Sequence, residues 1–482
     1  MKNLYSVFRD SMQRWFGKIL CFFFVVFFLA NTHSRAQGSD TILITKQGEF
    51  EYSWTYSAYT ALFDEQGDAF VYTASMELGL VTFDVSNVTN PIPVDTILPA
   101  QLNNLKLTNI FQFNDLLFGS LGSFQGLTQN AGLVIFNVSD PMNIVIEDVW
   151  DSVAFSEGSA IAITDGQYAY LGAMSEGIVI LDVTDVQNIE YVSHLLPEPN
   201  FPEIPGPFSV PNARGLALKN ADTLLVCNDA GGLRMIDVTD KFNPLEIGMY
   251  ANAAIESTAQ SAYNNVVLLN DYAYVPVDYC GLIVVDISSP LMQDVAWINP
   301  WNCNTTNWDG NAGHSNQLVL IGDSLLFMSG GDSEILLFDI SLPANPMLIG
   351  EYAYPFNMEV AWGLDVRNHQ VVAAMVDNPF GVPYDSDWGG IQLFEWNEGF
   401  LTILQHESTE INIFPNPASE KIYLSGTSEN DWIIISDASG KIISQFTPGI
   451  KEIFCENLST GLYFISVVSD DQTKQIFRVF IE

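Results

Sequence analysis

The sequence predicts an all-β protein: a seven-bladed β-propeller followed by a small Ig-like β-sandwich. Three observations carry this. The stretch "GLRMIDVTDKFNP" at 232–244 recurs in varied form at six other places. The apolar residues of each copy fall on both faces of a short strand, as in "GIVILDV" at 177–183. Beyond about residue 408 the repeat stops and another pattern of short strands and turns begins.

The repeat sets the architecture. Its copies open at 79, 132, 177, 232, 281, 334 and 390, a mean spacing of about 52 residues. That is the length of one four-stranded blade. In the fourth copy "ARGLALKN" (213–220), "TLLVCND" (223–229), "GLRMIDVT" (232–239) and "PLEIGMY" (244–250) read as strands A to D. A strand C that is apolar on both faces has to lie between neighbouring sheets, as blades do. A β-helix has much shorter rungs, which argues against it. The residue ending strand C is Asp84, Asp182, Asp237, Asp286 or Asp339, with Asn137 and Glu395 in the other copies. Such a side chain can accept backbone N–H groups of the C–D turn. Its recurrence marks a need of every blade rather than one metal-binding ring.

These residues resemble the LVIVD repeat, over about residues 41–407. The resemblance implies a secreted, surface-exposed propeller and names no reaction. The last segment, 409–482, resembles the type A C-terminal sorting domain of type IX secretion. The matching residues are Pro415, Asn416 and Pro417 followed by Ile422; Asp437, Gly440 and Lys441; Leu458, Gly461 and Tyr463; and an apolar final strand. This resemblance implies the type IX secretion machinery as a partner. It also implies passage across the outer membrane, then attachment to surface lipopolysaccharide or release.

The other end of the chain points the same way. Basic Lys2, Arg9, Arg14 and Lys18 precede the apolar run "ILCFFFVVFFLA" (19–30), and Ser34 and Ala36 are small residues in cleavage-site positions. This reads as a signal peptide, 1–36. An uncleaved anchor is the alternative, although the run is short for a span. Cleavage removes five of 17 basic and one of 57 acidic residues and leaves a net charge of −44. Such a field disfavours nucleic acid as a partner. Of the four cysteines beyond the leader, Cys280 and Cys303 fall on loops of neighbouring blades at one face and are expected to form a disulfide.

No catalytic motif stands out. "GSFQG" (122–126) puts Ser123 in the wrong place for a nucleophile elbow, and H-E-x-x-H and P-loop patterns are absent. Loop length is more informative. The long insertions 121–131, 195–212, 297–316 and 377–390 are all B–C or D–A connections, which share one face. Trp297, Trp301, Trp308, Phe380, Tyr384 and Trp388 lie in them. Rings beside Asn and Asp suit a glycan, while packing of loops onto blades is the plainer role. Asp377, Asp385 and Asp387 leave calcium open as a cofactor, without the spacing of an EF-hand. Glu157, Arg214, His314 and Glu359 stand near the entrances of A strands, where a mixed acid–base set can bind a ligand. The expected function is a secreted or cell-surface binding or scaffold module with a glycan or protein ligand. The alternative is an extracellular enzyme on polysaccharide, a lyase or glycoside hydrolase, which needs paired acid–base groups.

Overall fold

Each copy of the repeat forms the third strand of a four-stranded antiparallel sheet in the computed structural model of the chain. The structure describes residues 42–481 except 54–55, 124–128, 203–210, 257–261, 300–313, 331–333, 353–358, 379–385, 398–410, 428–430, 438–441, 447, 456–457 and 469–473. The expected signal peptide, 1–36, lies outside the described residues.

Six sheets are continuous in sequence, spanning 60–97, 107–152, 161–195, 215–250, 267–298 and 318–352. The seventh joins Ala361–Arg367, Gln370–Met375 and Gly390–Asn397 to the N-terminal strand Leu43–Glu51. That strand pairs antiparallel with Gly390–Asn397 and so serves as strand D of blade 7. The A strands of successive blades neighbour one another all the way round, and blade 7 meets blade 1. The seven-bladed propeller is therefore a closed ring.

The physical meaning of the repeat is local. Its opening glycine sits where the B–C turn becomes strand C. Gly232 has φ +76°, and a Cβ there would come within 2.2 Å of the Tyr250 carbonyl oxygen, so only glycine fits. Strand C is then buried on both faces, as in Ile178–Asp182. At its end the carboxylate or amide accepts the N–H two residues on. Ser86 donates to Asp84 at 2.8 Å, Ser139 to Asn137 at 3.1 Å, and Thr184 to Asp182 at 2.9 Å. Thr239, Ser288 and Ser341 do the same toward Asp237, Asp286 and Asp339. Glu395 of blade 7 departs from the pattern because its strand D comes from the other end of the chain, and no C–D turn follows it.

Every blade also carries one irregularity between strands C and D, at the same place. The D residue beside it is Asp95, Asp148, Ser193, Gly248, Ala296, Gly350 or Gly48, always short. The C–D turn of the next blade leans on this point. Ile144 N–H donates to Asp95, Ile189 N–H to Asp148, and Ser193 Oγ to the Lys241 carbonyl. A Cβ on Gly248 would come within 2.6 Å of the Pro290 oxygen. The bulge bends strand D and lets the neighbour approach, and Gly48 of blade 7 meets Val88 of blade 1 in the same way.

The C-terminal segment forms two sheets. One holds Asn412–Phe414, Lys421–Ser425 and Glu452–Phe454; the other holds Trp432–Asp437, Ile442–Phe446, Gly461–Val468 and Lys474–Ile481. Ile422, Leu424 and Ile453 from the first share one core with Ile433, Ile465 and Val479 from the second.

Candidate functional site

The A strands enclose an axial channel of about 960 Å³, walled by Leu62–Glu65, Asn109–Gln112, Ile161–Thr164 and their counterparts. Toward the face with the long loops the channel narrows into a mouth of about 50 Å³. The mouth is lined by Thr60, Asn109, Arg214, Asn264, Asn316 and Trp362, among others. Asn109, Asn265 and Gln317 line both spaces. These lie within two residues of the starts of their A strands, so ring closure alone brings them together from blades far apart in sequence.

Behind the mouth lies a buried polar cluster. Asp278 and His314 are 1% and 3% exposed. His314 Nε2 stands 3.2 Å from Asp278 Oδ1. Asn264 Nδ2 donates to the same oxygen at 2.9 Å and to the Ser315 carbonyl at 2.8 Å. His314 stacks on Trp362 at 5.5 Å and meets Tyr279 edge-on at 5.2 Å. Arg214 faces Asp229 at 3.9 Å, and Asn212 donates to that carboxylate at 3.0 Å. Burial raises the Asp229 pKa, Arg214 opposes the rise and Asp278 adds to it. Asn264 Oδ1, Asn316 Nδ2 and Asp278 Oδ2 are buried without a hydrogen-bond partner among the described residues. Three such atoms in one place stand out, since nearly all buried polar groups are paired.

Of the residues expected at this face, Arg214 lines the mouth and His314 stands directly behind it. Glu359 lies farther out: its carboxylate receives Gln392 Nε2 at 2.6 Å from strand C and stands 3.8 Å from Lys46 on strand D of blade 7. Glu157 pairs with Gln129 of the preceding B–C connection, and its N–H donates to Glu176. Trp388 is half-buried against the blade 6–7 core, with Lys46 5.9 Å from its ring. Trp297 packs on the blade 4–5 core and donates to the Cys280 carbonyl at 2.8 Å. Both serve packing. Trp301, Trp308, Phe380, Tyr384, Cys303 and Asp385 lie outside the described residues. Cys280 is disulfide-bonded, while Cys227 and Cys455 are free. Asp387 is exposed near Asp377, whose pKa is raised by burial and then by Asp387. Among the described residues no group of three or more His, Cys, Asp or Glu side chains has metal-binding geometry.

Sequence reasoning missed Asp278, Asn264, Asn265, Gln317 and Trp362. One signal was present: Asp229 in blade 4 and Asp278 in blade 5 each stand three residues before the opening glycine of the repeat. The structure places both in the B–C turns at positive φ, +47° and +22°.

The other end of the channel is acidic. Asp64, Glu65 and Asp365 line it beside Arg367. Tyr72 Oη and Gln112 Nε2 donate to Asp64 Oδ1, both at 3.0 Å. Desolvation pushes Asp365 up from 3.8 to about 6, against N–H donation from Phe63 and Val366 and the charge of Arg367. Burial, and then Asp365 itself, raise Glu65 too. The folded protein therefore holds a proton on Asp365 near pH 5 that the unfolded chain has released. This contribution to stability is full below pH 3.8 and lost as pH rises through about 6. It is worth at most roughly 3 kcal/mol, less where the channel admits water. In Asp365→Asn, the drop in melting temperature between pH 4 and pH 7.5 should shrink; an unchanged drop would remove Asp365 as its source.

In the C-terminal sheets Asn416 pins the final strand. Its Nδ2 donates to the Arg478 carbonyl at 2.7 Å, and its Oδ1 accepts from Phe480 N–H at 2.9 Å. Tyr463 Oη donates to the Ser459 carbonyl at 3.0 Å. Pro415 and Pro417 flank Asn416 in the turn before Lys421–Ser425, and Gly461 opens the strand that holds Tyr463. Asp437 ends its strand, while Gly440 and Lys441 lie outside the described residues.

Comparison with known proteins agrees with this geometry. The family profile of the secretion system C-terminal sorting domain matches residues 412–482. That of the LVIVD repeat matches 67–97, 158–190 and 262–291, in blades 1, 3 and 5. No curated protein matches. Among solved structures, Raptor of Chaetomium thermophilum is 11% identical with a TM-score of 0.51, over 74% of this chain and 30% of its own, and shares the fold. The WD40 β-propeller domain of Doa1 is 10% identical, TM-score 0.47, over 74% of this chain and 97% of its own. PorZ, an essential bacterial surface component of the type IX secretion system of Porphyromonas gingivalis, is 12% identical, TM-score 0.41. The match covers 87% of this chain and 65% of PorZ, so the chain spans less than two thirds of that protein. The chain is thus a β-propeller carrying LVIVD repeats, followed by a type IX secretion C-terminal sorting domain.

Proposed function

We propose that the protein is exported by the type IX secretion machinery and acts at the cell surface or in the medium as a binding module. Its working surface is the face that carries the D–A and B–C loops and the channel mouth. One contrast supports this. At the mouth Asn264 Oδ1 and Asn316 Nδ2 are buried without partners among the described residues, whereas on the opposite face the C–D turns satisfy their own Asp and Asn side chains. Unpaired buried polar atoms cost about 1–3 kcal/mol each, and the mouth region gathers several of them in one place. Binding is preferred to the enzyme alternative because His314 and Asp278, the acid–base pair behind the mouth, are buried at 3% and 1% exposure.

Two experiments test the reading. Deletion of 409–482 should leave the propeller in the periplasm, by fractionation and surface proteolysis; surface or medium localisation of the truncated protein would refute the export route. A screen of the secreted protein against glycans, lipopolysaccharide and surface proteins should yield a ligand. Arg214→Ala should weaken its binding at least fivefold, while Asp240→Ala on the opposite face should not. The reverse result would move the working surface.

A further inference from the structure

The mouth of the channel states what kind of group enters it, because backbone contacts fix the orientation of its amides. Asn264 donates through Nδ2 to the Ser315 carbonyl at 2.8 Å, which leaves its Oδ1, buried and unpaired, as an acceptor. Asn265 accepts Val266 N–H on Oδ1 at 2.6 Å, which leaves Nδ2 as a donor. Gln317 accepts Leu364 N–H on Oε1 at 3.2 Å, which leaves Nε2 as a donor. All three line the mouth. Asn264 is 7% exposed, and neither donor has another partner among the described residues.

An anion needs donors only, and a metal ion needs acceptors only. The mouth offers both kinds side by side. A hydroxyl group is donor and acceptor at once, and a pair of neighbouring hydroxyls matches such a set. Charge points the same way. Arg214 is already opposed by Asp229 at 3.9 Å, and Asp278 lies behind His314. A bound carboxylate or phosphate would meet two nearby carboxylates and the strongly acidic surface of the whole chain. Trp362 lines the mouth with Tyr59 set edge-on to it at 6.2 Å. Aromatic walls suit the C–H face of a sugar ring. Below the mouth the channel widens to about 960 Å³, ample for a sugar ring.

Resting on the binding reading above, the geometry points to an uncharged sugar as the ligand: the terminal residue of a neutral glycan enters the axial mouth and hydrogen-bonds Asn264, Asn265 and Gln317 through its hydroxyls.

The test uses the secreted full chain with free glucose, galactose, mannose and N-acetylglucosamine, and glucuronate as the charged comparator. Binding is read by saturation-transfer NMR and calorimetry. At least one neutral sugar should bind, and more tightly than glucuronate. Gln317→Met removes the donor. Ala160→Phe fills the mouth and leaves every polar partner in place, since Ala160 also lines it. Each should weaken the sugar about tenfold or more, and at least one should keep the wild-type melting temperature. Three results overturn the inference and leave the binding reading standing: preference for glucuronate with loss in Arg214→Ala; a neutral glycan whose affinity ignores both mouth variants; or a protein ligand that no sugar displaces. A ligand that binds only through the opposite face overturns both.

Discussion

Deletion of residues 42–51 should leave a propeller that no longer unfolds as one cooperative body. Strand D of blade 7 comes from the start of the chain, and eight residue pairs join Leu43–Glu51 to Gly390–Asn397. Ile42 and Ile44 are buried in the core between blades 6 and 7, and Tyr52, at the strand's end, is buried in the core between blades 7 and 1. Exposing two or three such side chains costs about 5 kcal/mol or more, which rivals the whole stability of an ordinary domain. The deletion also bares an edge strand in blade 7, a site for pairing with another copy. A gentler variant isolates the seam. A Cβ on Gly48 would fall 2.1 Å from the Val88 carbonyl oxygen of blade 1, so Gly48→Val should cost at least about 2 kcal/mol by forcing the two blades apart. Calorimetry and size-exclusion chromatography read both. A truncated protein that is monomeric and melts within a few degrees of wild type would mean that the ring does not depend on this closure.

That closing strand also shows where legibility in the sequence ends. The six continuous blades could be read because their signals are local: a strand apolar on both faces, a side chain that caps its own turn and, in blades 1, 3, 4 and 5, a glycine at positive φ. "LITKQGEFE" has none of these. It is an outer strand with half-buried Thr45, Lys46 and Gln47, and its partner lies about 350 residues away. Only the short residue at the bulge, Gly48, matches Gly248 and Gly350 in the other blades, and that likeness has meaning once the register is known. The same limit applies to the mouth. Arg214 and His314 could be singled out as charged or titratable residues at strand entrances. Asn264, Asn265 and Gln317 look like ordinary loop amides until the ring brings blades 5 and 6 to the axis beside Asn109 of blade 2. Trp388 was legible as an aromatic in a long loop, but whether a ring packs or projects depends on the core beneath it.

Replacing Arg234 with Ala should be among the most damaging single changes in the propeller. The residue stands third in its copy of the repeat, where the other blades place Val81, Val134, Val179, Ile283, Leu336 and Gln392. It is fully buried. Its guanidinium donates to the Gly231 carbonyl at 2.7 Å, to Glu246 Oε1 at 2.6 Å, and to the Glu198 and Phe201 carbonyls at 3.1 and 2.8 Å. The Phe201 ring lies 5.0 Å from it, and Glu246 in turn accepts the Glu198 N–H at 2.8 Å. The pair therefore fastens the start of the long 195–212 insertion onto blade 4. Arg234→Ala strands the Glu246 charge, leaves backbone carbonyls unpaired and opens a cavity, at about 3–5 kcal/mol. Arg234→Met with Glu246→Leu restores the apolar pattern of the other blades, and such replacements of a buried ion pair are often neutral. That double variant should melt near wild type and yet lose the fastening, so limited proteolysis should cut within 196–202 at least tenfold faster. Rapid cutting at unchanged melting temperature would assign Arg234 to holding the loop. If wild type and the double variant are cut at the same rate, the loop is held by something else.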